Sequence, residues 1–323
     1  MRNLFRLGLF GASNILERTM LDAFTNHPNF EVVGLASKSL DRLDSFSHEL
    51  NCPTYKSYDS LIDRNKIDVA YISLPNSMHY EISKKLLSRR IHCLVEKPLC
   101  SSDIECQEIN KIAKEYKLAL LETFQFQYHS QFGYIKEKIR DHSLGNLRSI
   151  DIKFGFPMFK DKDNIRLKKD LKGGAFLDTG VYILKTANLL ANLNEAKILS
   201  NIKYIDGFEV DMYGTCLITS KNDFSILGSW GFDNSYSCSL DLWFSNGKLR
   251  ANRIFTAKND YLAKVEVNSF NKRSINEFID DQYYNTVEEF LLTIESQVKM
   301  NNHYKANLDQ SKTMNLINLK NND

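Results

Sequence analysis

The chain has 323 residues, which is more than one hydrophobic core usually supports and is typical of two domains. Its 42 Lys and Arg residues against 40 Asp and Glu residues give a formal net charge of +2, which excludes the strongly basic surface of a nucleic-acid-binding protein. Hydrophobic residues make up 43% of the chain, which excludes a largely disordered protein.

The six cysteines form no CxxC pair and no spacing typical of zinc ligands, so we expect no metal. In a chain of this length they are typical of buried thiols in a reducing cytoplasm. The first ten residues are partly apolar, but Arg6 interrupts them and no cleavage site follows, so we expect no signal peptide. No apolar run reaches the roughly 18 to 20 residues of a membrane span. The sequence therefore predicts a cytoplasmic protein that does not bind membranes.

The first third of the chain alternates strand-like and helix-like segments. Runs of apolar, β-branched or aromatic residues predict five buried parallel strands, at 4–10, 30–36, 69–74, 92–95 and 118–122. Apolar residues at helical spacing lie between these runs. This alternation predicts a doubly wound α/β sheet, which binds its ligand at the carboxyl ends of the strands.

The rest of the chain has a different pattern. A helix-like stretch at 132–140 precedes a predicted strand at 147–156, and further strand-like runs occur at 212–219, 224–232 and 239–244. Turn residues such as Asn246 and Gly247 follow these runs, which favours an antiparallel sheet. Because the alternation of strand and helix stops near residue 122, we divide the chain into domains at 1–122 and 123–323.

The turn after the first predicted strand is a candidate phosphate-binding turn. Gly11 stands where a dinucleotide fingerprint needs a tight turn, while Ser13 and Leu16 replace the second and third glycines. Ser13 is small, and its hydroxyl is suited to capping the helix or donating to a phosphate. We expect Gly11, Ser13, Asn14 and Ile15 to contact a cofactor. On this motif alone, an ordinary strand-to-helix turn is an equally open interpretation.

The residues after the second predicted strand indicate the type of cofactor. An acidic side chain there would bind the adenosine ribose and favour NAD. Ser37 and Lys38 stand there instead, and a hydroxyl followed by a cation suits the 2′-phosphate of NADP. We therefore expect NADP(H) to be favoured over NAD(H). Taken alone, Lys38 is more typical of a solvated loop than of a phosphate site.

Three further motifs carry candidate functional residues. The third predicted strand is followed by Leu74, Pro75, Asn76 and His79, and the fourth by Glu96, Lys97 and Pro98. Proline holds the residue before it extended, so Lys97 is presented reproducibly at the strand end. Later, Gly173 and Gly174 are expected to open a helix that places Asp178 and Tyr182, four residues apart, on one face.

Together these motifs resemble the glucose–fructose oxidoreductase/inositol dehydrogenase (Gfo/Idh/MocA) family along nearly the whole chain. The family implies an N-terminal Rossmann domain with a doubly wound parallel sheet and a C-terminal α/β domain with an open, mainly antiparallel sheet. It also implies hydride transfer with NAD(P) and a homo-oligomer built through the free face of that sheet. The second domain would then serve substrate binding and oligomerisation.

The resemblance also implies roles for individual residues. Lys97 matches the active-site lysine of the family, and Asp178 matches its acidic helix residue. Tyr182 stands where many members have histidine, whereas the glucose–fructose oxidoreductase, dihydrodiol dehydrogenase and sugar 3-ketoreductase branches have tyrosine. Asn76 and Glu96 match positions that line the nicotinamide ribose. The expected substrate-binding residues are Lys97, Gln127, His129, Asp178 and Tyr182, although Gln127 replaces an arginine common in the family.

We therefore expect reversible oxidation of a secondary alcohol, or reduction of its ketone, on a sugar or nucleotide-linked sugar. Tyr182 would be the acid–base, Lys97 its electrostatic partner and Asp178 an orienting carboxylate. Two alternatives remain open: a branch that reduces dicarbonyls or oxidises trans-dihydrodiols, and a non-catalytic NADP-sensing protein of the same fold. His79 is more typical of a structural or cofactor-adjacent residue than of a base, and His129 fits substrate contact and packing equally.

Overall fold

A computed structural model describes residues 3–318, apart from 51, 194, 220, 222 and 271. The chain divides into two compact units. The first unit comprises Met1–Thr123 and Tyr283–Leu308, and the second comprises Phe124–Gln282 and Asp309–Asp323. The division at residue 122 places residues 283–308 in the second domain, whereas the structure places them in the first unit. The apolar residues of 283–308 have helical spacing. Such spacing predicts a helix but does not indicate which of the two cores the helix packs against.

The first unit contains a six-stranded parallel sheet in the order β3-β2-β1-β4-β5-β6. Its strands are β1 Phe5–Phe10, β2 Phe30–Ala36, β3 Thr54–Tyr55, β4 Val69–Ile72, β5 His92–Glu96 and β6 Leu120–Thr123. The doubly wound parallel fold is confirmed, with strand ends within two residues of the predicted ones. The structure adds β3, which is too short to produce a periodic pattern.

Helices connect these strands and cover both faces of the sheet. They are α1 Leu21–Thr25, α2 Leu40–Glu49, α3 Tyr58–Arg64, α4 Asn76–Ser88 and α5 Asp103–Tyr116, and a π-helical turn, Leu16–Met20, precedes α1. The returning segment adds α8 Gln282–Ile294 and the first part of α9 Gln297–Asn318. Phe290 packs in the same buried cluster as Leu7 and Phe24, so α8 completes this core.

The second unit contains an eight-stranded sheet in the order β14-β13-β12-β11-β7-β10-β9-β8. Its strands are β7 Leu147–Gly155, β8 Lys197–Tyr204, β9 Asp211–Thr219, β10 Ser225–Gly231, β11 Ser237–Phe244, β12 Gly247–Asn252, β13 Ala263–Ser269 and β14 Lys272–Phe278. The pair β7–β10 is parallel and the other pairs are antiparallel, which confirms the mainly antiparallel sheet.

One face of this sheet forms the core of the second unit. It packs against α7 Val181–Leu190, which a π-helical turn, Phe176–Gly180, precedes, and α6 Ser130–Arg140 lies beside the sheet. The alternation of buried and exposed residues along β9 is typical of a strand with one covered face. The other face carries exposed apolar side chains, among them Leu199, Leu227 and Trp243. In the part of the chain that the structure describes, no helix combines the length and apolar character of a membrane span.

Candidate active site

Gly11 makes the tight turn that the sequence predicts at the end of β1. Its φ is +106°, and a Cβ built there would lie 2.6 Å from the Ser73 carbonyl oxygen. The Ser73 hydroxyl donates to the Gly11 carbonyl oxygen at 3.0 Å, so the turns after β1 and β4 pack directly on each other. A side chain at residue 11 would therefore force the two backbones apart.

Ser13 caps the helical segment that follows this turn. Its Oγ accepts a hydrogen bond from the Leu16 amide at 3.1 Å, as one of the two roles predicted for it requires. Asn14 is exposed and Ile15 is partly buried. A further residue was missed from the sequence: the Arg42 guanidinium of α2 donates to the Ala12 carbonyl at 3.1 Å and pairs with Glu17 at 3.0 Å. Arg42 therefore brings a positive charge to the glycine turn.

Ser37 and Lys38 follow β2 at the same edge of the sheet. Ser37 is buried, and its Oγ accepts from the Ser39 amide at 3.2 Å, while Lys38 is exposed. The Lys38 Nζ lies 6.0 Å from the centre of the Tyr58 ring. A groove of about 660 Å³ begins here, lined by four lysines and by the acidic Asp59 and Glu81. Two of these lysines are paired, Lys84 with Glu108 and Lys85 with Asp59. Lys38 brings an exposed cation to this edge, which suits an anion there.

Lys97 follows β5 on a turn that buried polar groups hold from several sides. The Glu96 carboxylate accepts from the Tyr71 hydroxyl at 2.7 Å, and the Leu99 amide donates to the Glu122 carboxylate at 2.9 Å. Burial raises the pKa of Glu96, and the Tyr71 hydroxyl opposes this shift. Lys97 itself is half-buried between buried neighbours, and the peptide bond to Pro98 is cis.

His79 joins the segment after β4 to the turn that carries Lys97. Its ring is fully buried, with Nδ1 2.7 Å from the Pro98 carbonyl oxygen and Nε2 2.8 Å from the Leu74 carbonyl oxygen. Burial lowers the pKa of His79, and the two carbonyls oppose that shift. Pro75 precedes α4 and Asn76 begins it, so this bridge also fixes the entry into α4.

The predicted residues of the first unit therefore meet at one edge of its sheet. They follow the carboxyl ends of β1, β2, β4 and β5. These four strands are neighbours in the sheet, in the order β2-β1-β4-β5. This is the edge at which open α/β sheets bind ligands. Across the described residues, no group of three or more His, Cys, Asp and Glu side chains is arranged to hold a metal ion.

In the second unit, Gln127 and His129 lie where β6 gives way to α6. Gln127 is partly buried in a 3₁₀ turn, Gln125–Tyr128. His129 is buried, and its Nδ1 accepts from the Gln131 amide at 3.1 Å, which caps α6. Burial lowers the pKa of His129, while Asp280 and Asp281 raise it. One ring nitrogen of His129 therefore holds the start of α6.

Asp178 lies on the π-helical turn that follows the two glycines, and Arg166 orients it. The Arg166 Nε donates to the Asp178 carboxylate at 2.7 Å, and the Asp178 side chain is 13% exposed. The guanidinium also lies 5.7 Å from the centre of the Phe159 ring. The predicted helix after Gly173 and Gly174 is therefore present, with a wider first turn than an α-helix.

Tyr182 stands one turn further along, in the first turn of α7, and aromatic rings surround it. Its ring centre lies between 5.0 and 6.0 Å from four others, which belong to Phe124, Phe126, Phe154 and Phe255. Phe124 and Phe154 meet the Tyr182 ring edge-to-face and the other two rings are tilted to it, so its place is fixed by shape. We call these four phenylalanines the aromatic cage.

Two family models match the chain, one for each unit. An oxidoreductase family model with an NAD-binding Rossmann fold covers residues 5–124, and a GFO/IDH/MocA C-terminal domain model covers residues 132–250. Together they span more than half of the chain and match both the parallel sheet and the start of the mixed sheet.

Individual proteins are similar over most of the chain. It is 29% identical to dTDP-3,4-didehydro-2,6-dideoxy-alpha-D-glucose 3-reductase of Streptomyces antibioticus, over 90% of this chain and 88% of the relative. It is 30% identical to the protein of the same name from Saccharopolyspora spinosa, over 83% and 80%.

A solved structure is similar at the level of the whole fold. It is a tyrosine-to-phenylalanine mutant of KijD10, a 3-ketoreductase from Actinomadura kijaniata, in complex with TDP-benzene and NADP. Its TM-score is 0.93 at 25% identity, and the match covers 98% of both chains. The motifs, the two sheets and these similarities lead to one assignment: this chain is an oxidoreductase of the Gfo/Idh/MocA family.

Proposed function

We propose that the chain is an NADPH-dependent 3-ketoreductase of a nucleotide-linked deoxysugar. The observation that carries the proposal is similarity along nearly the whole chain to 3-reductases of a dTDP-linked keto sugar. The tyrosine at residue 182, held in its aromatic cage, fits this branch, and it equally fits the dihydrodiol dehydrogenase branch, which the turnover assays below separate from it.

The first unit offers the residues that would hold NADPH. The Gly11 turn has no room for a Cβ, which is typical of a backbone cradle for a pyrophosphate, and Ser13, Asn14 and Ile15 follow at the start of the helix. Ser37 and Lys38 would hold the 2′-phosphate. Leu74, Pro75, Asn76, His79 and Glu96 would line the ribose and nicotinamide. When bound, NADPH supplies the hydride that reduces the keto carbon.

The chain's own residues supply the proton and the charge that this reduction requires. Tyr182 donates its phenolic proton to the oxygen that becomes an alkoxide as the carbonyl is reduced. The Lys97 cation stabilises the negative charge that develops on that oxygen and on the phenolate. Asp178, held by Arg166, accepts a hydrogen bond from a sugar hydroxyl and so orients the ring. Gln127 and His129 are proposed to line the sugar.

We also propose a homo-oligomer that forms through the open face of the second sheet. Cross-strand register places Leu199, Leu217 and Leu227 in one apolar row on that face, beside the charged Asp151. Trp243 on the same sheet is 66% exposed. Light scattering after gel filtration should give a mass that is a multiple of the monomer mass. Leu227→Arg places a charge in the apolar row and should lower the measured mass. Ile104→Arg, at an exposed position of α5 in the first unit, is the control and should leave the measured mass unchanged.

The cytoplasm is the proposed compartment, because all six cysteines are free thiols and five of them are buried. Burial raises the pKa of Cys52 to about 11 and that of Cys216 to about 12, so these thiols are inert. Blocking with a thiol reagent should label the folded chain slowly and the unfolded chain completely. Disulfides in protein isolated without reductant would contradict the assignment.

Turnover assays with different substrates test the reaction itself. NADPH loss is measured with the dTDP-linked 3-keto-2,6-dideoxy sugar, and NADP⁺ reduction is measured with a trans-dihydrodiol and with D-xylose. We expect the nucleotide-linked sugar to be preferred in kcat/KM by at least about a hundredfold, since the lost nucleotide contacts are worth several kcal/mol. Preference for the dihydrodiol would favour that branch instead. Stoichiometric NADPH binding with no turnover of any substrate would favour a sensing protein.

A further inference from the structure

Asp211 lies at the start of β9, and its carboxylate touches the segment that carries Asp178 and Tyr182. The Asp211 carboxylate accepts a hydrogen bond from the Phe176 amide at 2.6 Å. Phe176 is the first residue of the π-helical turn that continues directly into α7. A carboxylate at this place both pairs an amide that the helix leaves open and faces the positive end of the helix dipole.

Gly174 shows how closely this carboxylate approaches the backbone. Gly174 has a φ of +110°, and a Cβ built on it would overlap the other carboxylate oxygen of Asp211. The Gly174 carbonyl accepts from the Asp178 amide at 3.2 Å, and the Gly174 amide donates to the Arg166 carbonyl at 2.8 Å. The glycine is therefore enclosed between Asp211 and the two residues of the Arg166–Asp178 ion pair.

The surroundings of Asp211 make its negative charge costly. Burial raises the pKa of Asp211 to about 6, while the Phe176 amide opposes this shift. The titratable group that faces it from β8 is Tyr204, its cross-strand partner, and the pKa of Tyr204 is raised by burial and by Asp211. Above about pH 6 Asp211 is ionised in the folded chain. Because its pKa is lower in the unfolded chain, this ionisation lowers the free energy of unfolding.

We propose that Asp211 is a positioning residue, whose carboxylate fixes the start of the helix that presents Asp178 and Tyr182 at the expense of stability. This inference rests on the proposed function, because it names what holds the proposed acid–base in place. A carboxylate accepts a stronger and shorter hydrogen bond than a neutral carboxyl group, so loss of the charge loosens the first turn. Stability given up for activity is expected at functional sites and not at ordinary structural ones.

Asp211→Asn separates these two effects because it keeps the shape and removes the charge. We expect kcat for reduction of the dTDP-keto sugar to fall about three- to tenfold at pH 8, with the KM for NADPH unchanged. The same variant should raise Tm by about 2–4 °C at pH 8, and this gain should shrink at pH 5, where Asp211 is protonated in the unmodified chain. A merely structural aspartate would lower Tm and leave kcat unchanged.

The pH profile of kcat adds a second signature. In the direction of reduction Tyr182 must be protonated, so acid does not inhibit the proton transfer itself. The unmodified chain should nevertheless lose activity below about pH 6, as Asp211 takes up its proton, whereas Asp211→Asn should be flat and low from pH 5 to 8. An acidic limb that is unchanged in Asp211→Asn would overturn the proposal.

Fluorescence provides a measurement that requires no substrate. Trp230 is one of two tryptophans, and its ring centre lies 5.7 Å from that of Phe176, whose amide donates to Asp211. Emission of the unmodified chain should titrate with a midpoint near pH 6, and this transition should be absent in Asp211→Asn. If the transition persists in the variant, Asp211 is not the group that titrates. If the transition behaves as expected but no dTDP-keto sugar is turned over, the proposed function fails and the assignment of the titrating group stands.

Asp141 is the matched control, since it lies in the same unit and at the end of α6. Lys138 and the Ser143 amide hold the pKa of Asp141 at about 2. Asp141→Asn should therefore lower Tm at pH 8, which is the opposite sign to Asp211→Asn. Its kcat and pH profile should match those of the unmodified chain. Equal effects of the two variants on kcat would contradict a positioning role for Asp211.

Discussion

Lys97 and Tyr182, the two residues proposed to act on the substrate oxygen, are held in opposite ways. The turn of Lys97 is tied by hydrogen bonds to buried polar groups, namely the Tyr71 hydroxyl, the His79 ring and the Glu122 carboxylate. Tyr182 is held by the aromatic cage, with ring centres no more than 6.0 Å apart. One residue is positioned by directional bonds and the other by shape.

This difference determines how each surrounding tolerates change. A buried hydrogen bond that loses one partner leaves the other unpaired, which costs about 1–3 kcal/mol per group. An apolar cage repacks when a ring is exchanged for a similar volume, which usually costs less than about 1.5 kcal/mol. We therefore expect the turn of Lys97 to be more sensitive to substitution of its neighbours than the surroundings of Tyr182.

Tyr182→Phe is expected to have the largest effect on activity and little effect on structure. The variant keeps the ring that the aromatic cage contacts, so this ring should keep its place. Loss of the proton donor should lower kcat about a hundred- to ten-thousandfold, with NADPH affinity unchanged. Steady-state rates and fluorescence titration with NADPH measure both quantities. Tyr134→Phe, on α6 of the same unit, should leave kcat unchanged. An unaltered kcat in Tyr182→Phe would remove tyrosine from the mechanism.

His79→Phe tests the polar side of the comparison. The neutral His79 ring donates to one of the Pro98 and Leu74 carbonyls, so the variant leaves a buried carbonyl without its donor and must also fit a wider ring. The free energy of unfolding should therefore fall by about 2–4 kcal/mol. Phe124→Leu changes a ring of the aromatic cage and should cost only about 1–1.5 kcal/mol. Urea denaturation of both variants measures the difference. A smaller loss for His79→Phe than for Phe124→Leu would reverse the comparison.

Lys38→Ala extends the comparison to an exposed residue. One charge-assisted phosphate contact is worth about 1.5–3 kcal/mol, so NADPH should bind about ten- to a hundredfold more weakly while NADH is unaffected. Lys66→Ala, before the amino end of β4, is the matched control because its side chain is equally exposed at the opposite edge of the sheet. Equal affinities of the unmodified chain for NADPH and NADH would contradict the role of Lys38.

Much of this architecture was predictable because it depends on local patterns. The run at β2 was predicted with both ends correct, since apolar residues give way abruptly to the polar Ser37 and Lys38. The rule that parallel strands bind ligands at their carboxyl ends then placed Gly11, Asn76 and Lys97 at one edge. The two-residue β3 has no such pattern and was missed.

The contacts missed from the sequence join residues that lie far apart in the chain. Arg42 reaches the Ala12 carbonyl across 30 positions, and only the rotation of α2 decides which side chain does so. Asp211 meets Phe176 because of the register of β9 in the mixed sheet, 35 positions later. The aromatic cage likewise takes Phe255 from a loop and Phe154 from β7. Register and helix rotation are set by the packing of the whole unit, which no short window of sequence contains.

A double-mutant cycle on the single-turnover rate of reduction tests most directly whether Lys97 and Tyr182 act as one unit. NADPH oxidation by the dTDP-keto sugar is followed in a single turnover for the unmodified chain, Lys97→Ala, Tyr182→Phe and the double variant. Because both residues serve one developing charge, the double variant should be within about threefold of the poorer single variant. Losses that multiply, so that the double variant is slower by the product of the two single effects, would contradict the account.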